Sequence, residues 1–129
     1  MSPSSAAALS GHLLTPQGWR RGALHVEQGR IAAIDADPVD EADVRDDAAR
    51  PLLLPGFVDL HLHGGGGADS MDAGDAIVRI ARLHARHGTT SLLATTMTAP
   101  LPEIEAALRA LAPAIERRAD GAARVLGVH

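Results

Sequence analysis

Leu52–Gly67 reads Leu-Leu-Leu-Pro-Gly-Phe-Val-Asp-Leu-His-Leu-His-Gly-Gly-Gly-Gly. It starts apolar, passes a Pro-Gly corner and becomes an alternating strand. Successive side chains of a strand point to opposite faces, so Phe57, Asp59, His61 and His63 share one face. Val58, Leu60 and Leu62 take the other, which is expected to pack on a core. Imidazoles about 7 Å apart along one strand face can both reach a divalent cation. The glycines beyond them let the backbone turn sharply with no side chain in the way. His61 and His63 are therefore candidate metal ligands, with two hydrogen-bonded strand histidines as the alternative.

Downstream of this strand the period changes. Asp69–His87 is expected to be helical, with Ile77, Ile80, Ala81 and His84 at i, i+3, i+4 and i+7. Asp72 is the expected N-cap and Gly88 the terminating glycine. His84 and His87 lack the glutamate of a His-Glu-x-x-His pattern and read as packing or dipole contacts. Thr89–Thr96 reads as a second buried strand, with Thr95 and Thr96 at its end read as structural and substrate contact as the alternative. Pro102 suits the first turn of a further helix striped by Ile104, Leu108, Leu111 and Ile115, which Pro113 should kink or restart. Arg124–His129 opens a third strand, at which the chain stops.

The order after Pro55 is thus β-α-β-α-β, the pattern of a parallel sheet with crossover helices. A complete (β/α)₈ barrel needs about 250 residues. Residues 56–129 hold only two units and a bare strand, so they are expected to be either a small open α/β domain or the front of a barrel. An ending inside a strand favours the barrel.

Upstream, Ala8–Leu14, Gly22–Glu27 and Arg30–Asp35 read as short strands, the last two joined by a Gln28-Gly29 turn. His12 and His25 read as ordinary strand or surface residues. Asp35–Asp47 holds seven of the sixteen acidic residues. It has neither the central glycine nor the register of a calcium loop and reads as a solvated loop.

Composition narrows the function classes. The 129 residues are 46% hydrophobic and 22% charged, with net charge −4, which is globular composition. Trp19 and Phe57 are the only aromatics and no basic stripe exists, which argues against nucleic-acid binding. All twelve basic residues are arginine, so no Schiff-base lysine is available, and without cysteine there is neither thiolate ligand nor nucleophile. Met1–Ser10 lacks a basic n-region and no apolar run approaches membrane-spanning length. A cytoplasmic protein is the default expectation.

The residues at this point resemble a known family. Leu-Pro-Gly-Phe-Val-Asp-Leu-His-Leu-His, after Gly-Arg-Ile-Ala-Ala-Ile, resembles the start of an amidohydrolase-superfamily enzyme. His63–Asp69, His84–Ser91, Thr95–Thr98 and Val125–His129 are similar to the N-acetylglucosamine-6-phosphate deacetylase family within it. The likeness runs from about residue 9 to the last residue and is weakest in the acidic loop.

The resemblance implies a truncated metal-dependent (β/α)₈ barrel preceded by strands of a small β-sandwich. Residues 1–55 would be the N-terminal part of the sandwich, and residues 56–129 the first β/α units of the barrel. It implies hydrolysis of the N-acetyl amide of a small-molecule amino-sugar phosphate, using one or two divalent metal ions (zinc, iron, manganese or nickel). His61 and His63 would be metal ligands. The family's glutamate ligand would follow His129, and the proton-shuttling aspartate and nearly all substrate contacts would lie beyond, so no catalytic residue is expected here. The four-glycine loop is expected to be a tight active-site turn, with direct substrate contact as the alternative. The complete protein is expected to be a homodimer without nucleic-acid or membrane partners. Another amidohydrolase of the dihydroorotase, hydantoinase or aminoacylase kind, and a non-catalytic truncated module, are the competing readings.

Overall fold

Two tight turns shape the first fifty residues. In a computed structural model that describes residues 6–129, β1 (Ala6–Thr15) and β2 (Gly18–Glu27) pair antiparallel over their whole length, from Ala6↔Glu27 to Thr15↔Gly18. The Thr15 hydroxyl donates to the Gly18 carbonyl at 2.8 Å and closes their connection. Gln28 and Gly29 both have positive φ, 52° and 71°. That geometry matches the right-handed twist of a hairpin and leads into β3 (Arg30–Pro38). β4 (Leu52–Leu53) adds parallel to β1, giving a sheet ordered β3-β2-β1-β4. The first five residues of the stretch read for a leader lie outside the described residues.

The chain forms two compact units, Met1–Pro55 and Gly56–His129. In the first, the acidic stretch is not simply a loop. Its start completes β3, and Glu41–Asp46 forms a short helix, α1. Glu41 and Asp43 lie in its first turn, Arg45 reaches Glu41 at 2.5 Å, and Val44 is buried. Periodicity cannot reveal so short a helix; end charges and one apolar anchor hold it.

His12, read as an ordinary strand or surface residue, is fully buried in β1. Its Nε2–H donates to Asp47 Oδ2 at 3.3 Å, since a carboxylate only accepts. Arg50 Nε donates to the same oxygen at 2.7 Å, and this bond, helped by His12, holds the Asp47 carboxyl below its ordinary value of 3.8. A depressed carboxyl stabilises the fold above its unfolded pKa, and that contribution is lost as pH falls through the folded value. We expect Asp47→Asn to lower the stability of this unit at neutral pH, and the gap to the parent to shrink below about pH 4. Denaturant titrations at the two pH values measure it, and an equal gap at both excludes the linkage.

The second unit begins with β5 (Phe57–Leu62), then a small hairpin of β6 (Gly64–Gly65) and β7 (Ala68–Asp69). α2 (Ala76–Ala85), β8 (Thr89–Ala94), α3 (Leu101–Glu116) and β9 (Arg124–Val128) follow. The sheet is parallel, in the order β5-β8-β9, as the β-α-β-α-β reading expects. α2 packs on β8 and on the hairpin, and α3 packs on β9. Ile77, Ile80 and Ala81 of α2 meet Leu92, Leu111 and Val125 in one buried cluster. Burying a side chain of this size stabilises the fold by about 1.5–3 kcal/mol.

Several local expectations shift. α2 starts at Ala76, because residues 64–69 are spent on the hairpin and Gly74 turns the chain with φ 74°. Asp72 Oδ2 accepts the Asp69 N–H at 2.9 Å instead of capping, and Asp75 occupies the N-cap position. α3 runs through Pro113 to Glu116. The proline lies so near the end that only a last-turn hydrogen bond is forgone. The buried stripe of α3 is Ala107 and Leu111, while Leu108 is exposed. On β5 only Leu62 is buried; Val58 and Leu60, expected on the core face, are exposed. β5 is an edge strand, whereas the helices cover β8 and β9.

Candidate metal centre

Three parallel strands end on one side of the second unit. β5 runs out at Leu62 and is followed by His63, β8 by Thr95, and β9 by His129. The ends are tied by backbone: the His129 N–H donates to Ala94 O at 2.9 Å and the Thr96 N–H to His129 O at 3.1 Å. Ligands of α/β sheets gather at this carboxyl edge of the strands. Here His61, His63, Thr95, Thr96, Met97, Thr98, Ile104 and His129 line an open depression of ≈ 580 Å³.

The two candidate ligands converge. His61 Nε2 and His63 Nε2 are 3.0 Å apart, with the rings edge to face at 71°. Metal–nitrogen bonds of 2.0–2.1 Å place two nitrogens of one coordination sphere about 2.9 Å apart at octahedral angles and about 3.3 Å apart at tetrahedral ones. The observed spacing fits the bite of a shared divalent cation and equally a hydrogen bond between the two rings, one nitrogen donating to the other. Asp59 Oδ1 accepts the His61 N–H at 3.1 Å, bracing the strand from its own face. Among the described residues no group of three or more His, Cys, Asp or Glu side chains is arranged to hold a metal. The residues present fit as a bidentate pair and leave the other positions to water or further ligands.

The glycine run makes the tight turn expected of it. Gly64 and Gly65 pair with Asp69 and Ala68, and Gly66 and Gly67 turn the chain at φ 62° and 74°. His84 Nε2–H donates to the Gly64 carbonyl at 3.2 Å, so His84 supports the hairpin as a packing residue. A β-carbon on Gly64 would lie 2.2 Å from the Ala68 carbonyl oxygen, a backbone atom that cannot yield. We expect Gly64→Ala to cost about 1–3 kcal/mol, the usual range for overpacking. Amide exchange at Asp69 and Ser70 should rise with it; unchanged exchange at both would show that the hairpin tolerates the methyl.

Sequence reasoning missed two residues here. His129 rests its ring on His61, centroids 4.7 Å apart at 48°, a contact between strands far apart in sequence. Ser70, 1% exposed and bonded to the His63 and Thr95 carbonyls, carried no motif at all.

A parallel β/α array with imidazoles at the end of its first strand defines a class. Residues 52–123 match the Amidohydrolase family, and the chain belongs to that family. It is 44% identical over 117 residues to an N-acetylgalactosamine-6-phosphate deacetylase of Escherichia coli O157:H7, covering 89% of this chain and 30% of that protein. It is 40% identical over 109 residues to the N-acetylglucosamine-6-phosphate deacetylase of Vibrio furnissii, covering 80% of this chain and 26% of that protein. The crystal structure of N-acetylglucosamine-6-phosphate deacetylase from Thermotoga maritima superposes with a TM-score of 0.76 at 27% identity, over 95% of this chain and 31% of that one. The chain spans about 30% of the length of the curated relatives it matches.

Proposed function

We propose that this chain supplies the first metal ligands and the first two β/α units of an N-acetylglucosamine-6-phosphate deacetylase. The convergence of His61 and His63 Nε2 at 3.0 Å carries the reading. Residues 56–129 would open a (β/α)₈ barrel, and residues 1–55 would be the N-terminal share of a β-sandwich. The apolar hollow lined by Leu14, Leu24, Ile31, Ile34, Leu53 and Leu54 in the first unit suits a sheet face that other strands complete.

The reaction breaks the amide C–N bond with water and yields acetate and the free 2-amino sugar phosphate. His61 and His63 would hold a zinc, iron, manganese or nickel ion; when bound, such a cation lowers the pKa of water and polarises the amide carbonyl. The chain's own part is to fix the two imidazoles and to shape the near wall of the depression. The Gly64–Gly67 turn takes the chain away from His63 without adding a side chain beside it. The proton-shuttling carboxylate and further ligands would come from residues outside this sequence. The complete enzyme would be a cytoplasmic homodimer; among the described residues no helix is long and apolar enough to cross a membrane.

The 44% identity to the E. coli protein favours a second reading, in which the sugar is the galacto epimer. One experiment addresses both. Acetate release from the two N-acetylhexosamine 6-phosphates is measured for the 129-residue chain and for a chimera in which it replaces the matching segment of the V. furnissii enzyme. The chain alone should be inactive and the chimera active. An active isolated chain, or a folded chimera inert toward both epimers, contradicts the proposal.

A further inference from the structure

His63 poses a question of orientation. Metal-binding histidines almost always donate their second ring N–H to a carbonyl or carboxylate, which fixes the ring. The Nδ1 of His63 is buried and has no hydrogen-bond partner among the described residues. Besides the contact with the His61 ring, what positions this residue is the backbone on either side of it.

The structure supplies such a device. Thr95, 3% exposed, grips Leu62 twice: the Leu62 N–H donates to Thr95 Oγ1 at 2.9 Å, and the Thr95 N–H donates to Leu62 O at 2.7 Å. Ser70 joins the other side. Its N–H donates to the His63 carbonyl at 2.7 Å, and its hydroxyl donates to the Thr95 carbonyl. The four hydrogen bonds form a closed circuit, Leu62–Thr95–Ser70–His63, drawn from the ends of β5 and β8 and the segment after β7. Buried polar groups satisfied in a circuit like this rigidify what they join.

We propose that Thr95 and Ser70 are positioning residues, a buried hydroxyl clamp that holds the His61–His63 pair at its metal-binding spacing. The inference rests on the reading of that pair as metal ligands. The clamp explains why the hydroxyl side chains of Thr95, which lines the depression, and of Ser70, bonded to it, are both buried. It also explains how His63 is held without a hydrogen bond to its own second nitrogen.

The test uses the 129-residue chain and zinc, with affinity read by competition against a chromophoric chelator. Thr95→Val keeps the shape and removes the hydroxyl, and Ser70→Ala removes the other with little change in volume. Each should weaken zinc binding on the order of 10- to 100-fold, the usual effect of losing an outer-shell partner. Thr95→Ser, which keeps the oxygen, should stay within about threefold of the parent. Ile115→Val, which trims one methylene from a partly buried α3 side chain away from the circuit, controls for general loosening and should leave affinity unchanged. Without metal, the nuclear Overhauser contact between the His61 and His63 rings should weaken in Thr95→Val and Ser70→Ala alone.

Retained affinity together with a retained ring contact in both variants overturns the clamp. So does an equal loss of affinity in Ile115→Val, or a loss in Thr95→Ser as large as in Thr95→Val. If His61→Ala leaves zinc binding unchanged, the metal reading fails. The metal-free ring contact then still decides the clamp on its own. Should Thr95→Val not fold, Ser70→Ala carries the same measurements.

Discussion

Replacing His61 and His63 together by alanine should abolish specific zinc binding by this chain and lower kcat/KM of the chimera by at least about 10²-fold. Loss of a mere outer-shell partner costs metal sites 10–100-fold, and two direct ligands must cost more. Their 3.0 Å separation is why the effect should belong to the pair. Each single substitution should already remove most of the affinity, because one imidazole cannot chelate. His25→Ala and His87→Ala are the controls. His25 lies in β2 and His87 follows α2, and neither lines the depression. Zinc titration of the parent, the double variant and both controls settles it: equal affinities across all four would make the binding nonspecific to histidine content.

The second large effect is on stability. Leu92→Ala should cost about 2–5 kcal/mol, the range for truncating a fully buried leucine. Leu92 is 0% exposed on β8, the central strand, between the helix layer and two neighbouring strands. Against a total stability of about 5–15 kcal/mol, such a loss is a large fraction of what holds the second unit folded. Leu93 on the other sheet face is only half-buried, and Leu93→Ala should cost markedly less. The single tryptophan, Trp19, reports on the first unit, so the second is best followed by amide exchange at β8 and β9. Similar costs for the two substitutions would contradict the assigned faces.

The strand, the glycine turn and the β-α-β-α-β order were legible because each has a local signature. Alternation placed His61 and His63 on one face, and the glycines announced a turn. Periodicity does not reveal what covers a face. Val58 and Leu60 alternate correctly with the histidines and are nonetheless exposed, because the helices pack on β8 and β9 rather than over β5. It is equally silent on contacts made across many residues. Ser70 and Thr95 meet only after α2 has carried the chain back to the sheet, and His12 meets Asp47 only after β3 and α1 have intervened. The start of α2 was misplaced for a third reason. Asp72 has the chemistry of a cap, but its carboxylate serves the turn in front of the helix.

The spacing of the parallel pairs has a consequence for how the second unit assembles. Val58 pairs with Ser91 and Ser91 with Arg124, and the two intervals along the chain are equal. Each strand therefore waits for one crossover of the same length before it finds its neighbour, and closing either loop costs the same entropy. No strand of this sheet pairs with a distant part of the chain out of turn. During synthesis β5 stays unpaired until β8 has left the ribosome, and β9 then adds to an edge already in place. The contact of Thr95 with Leu62 accordingly needs only the first of these closures and not the third strand.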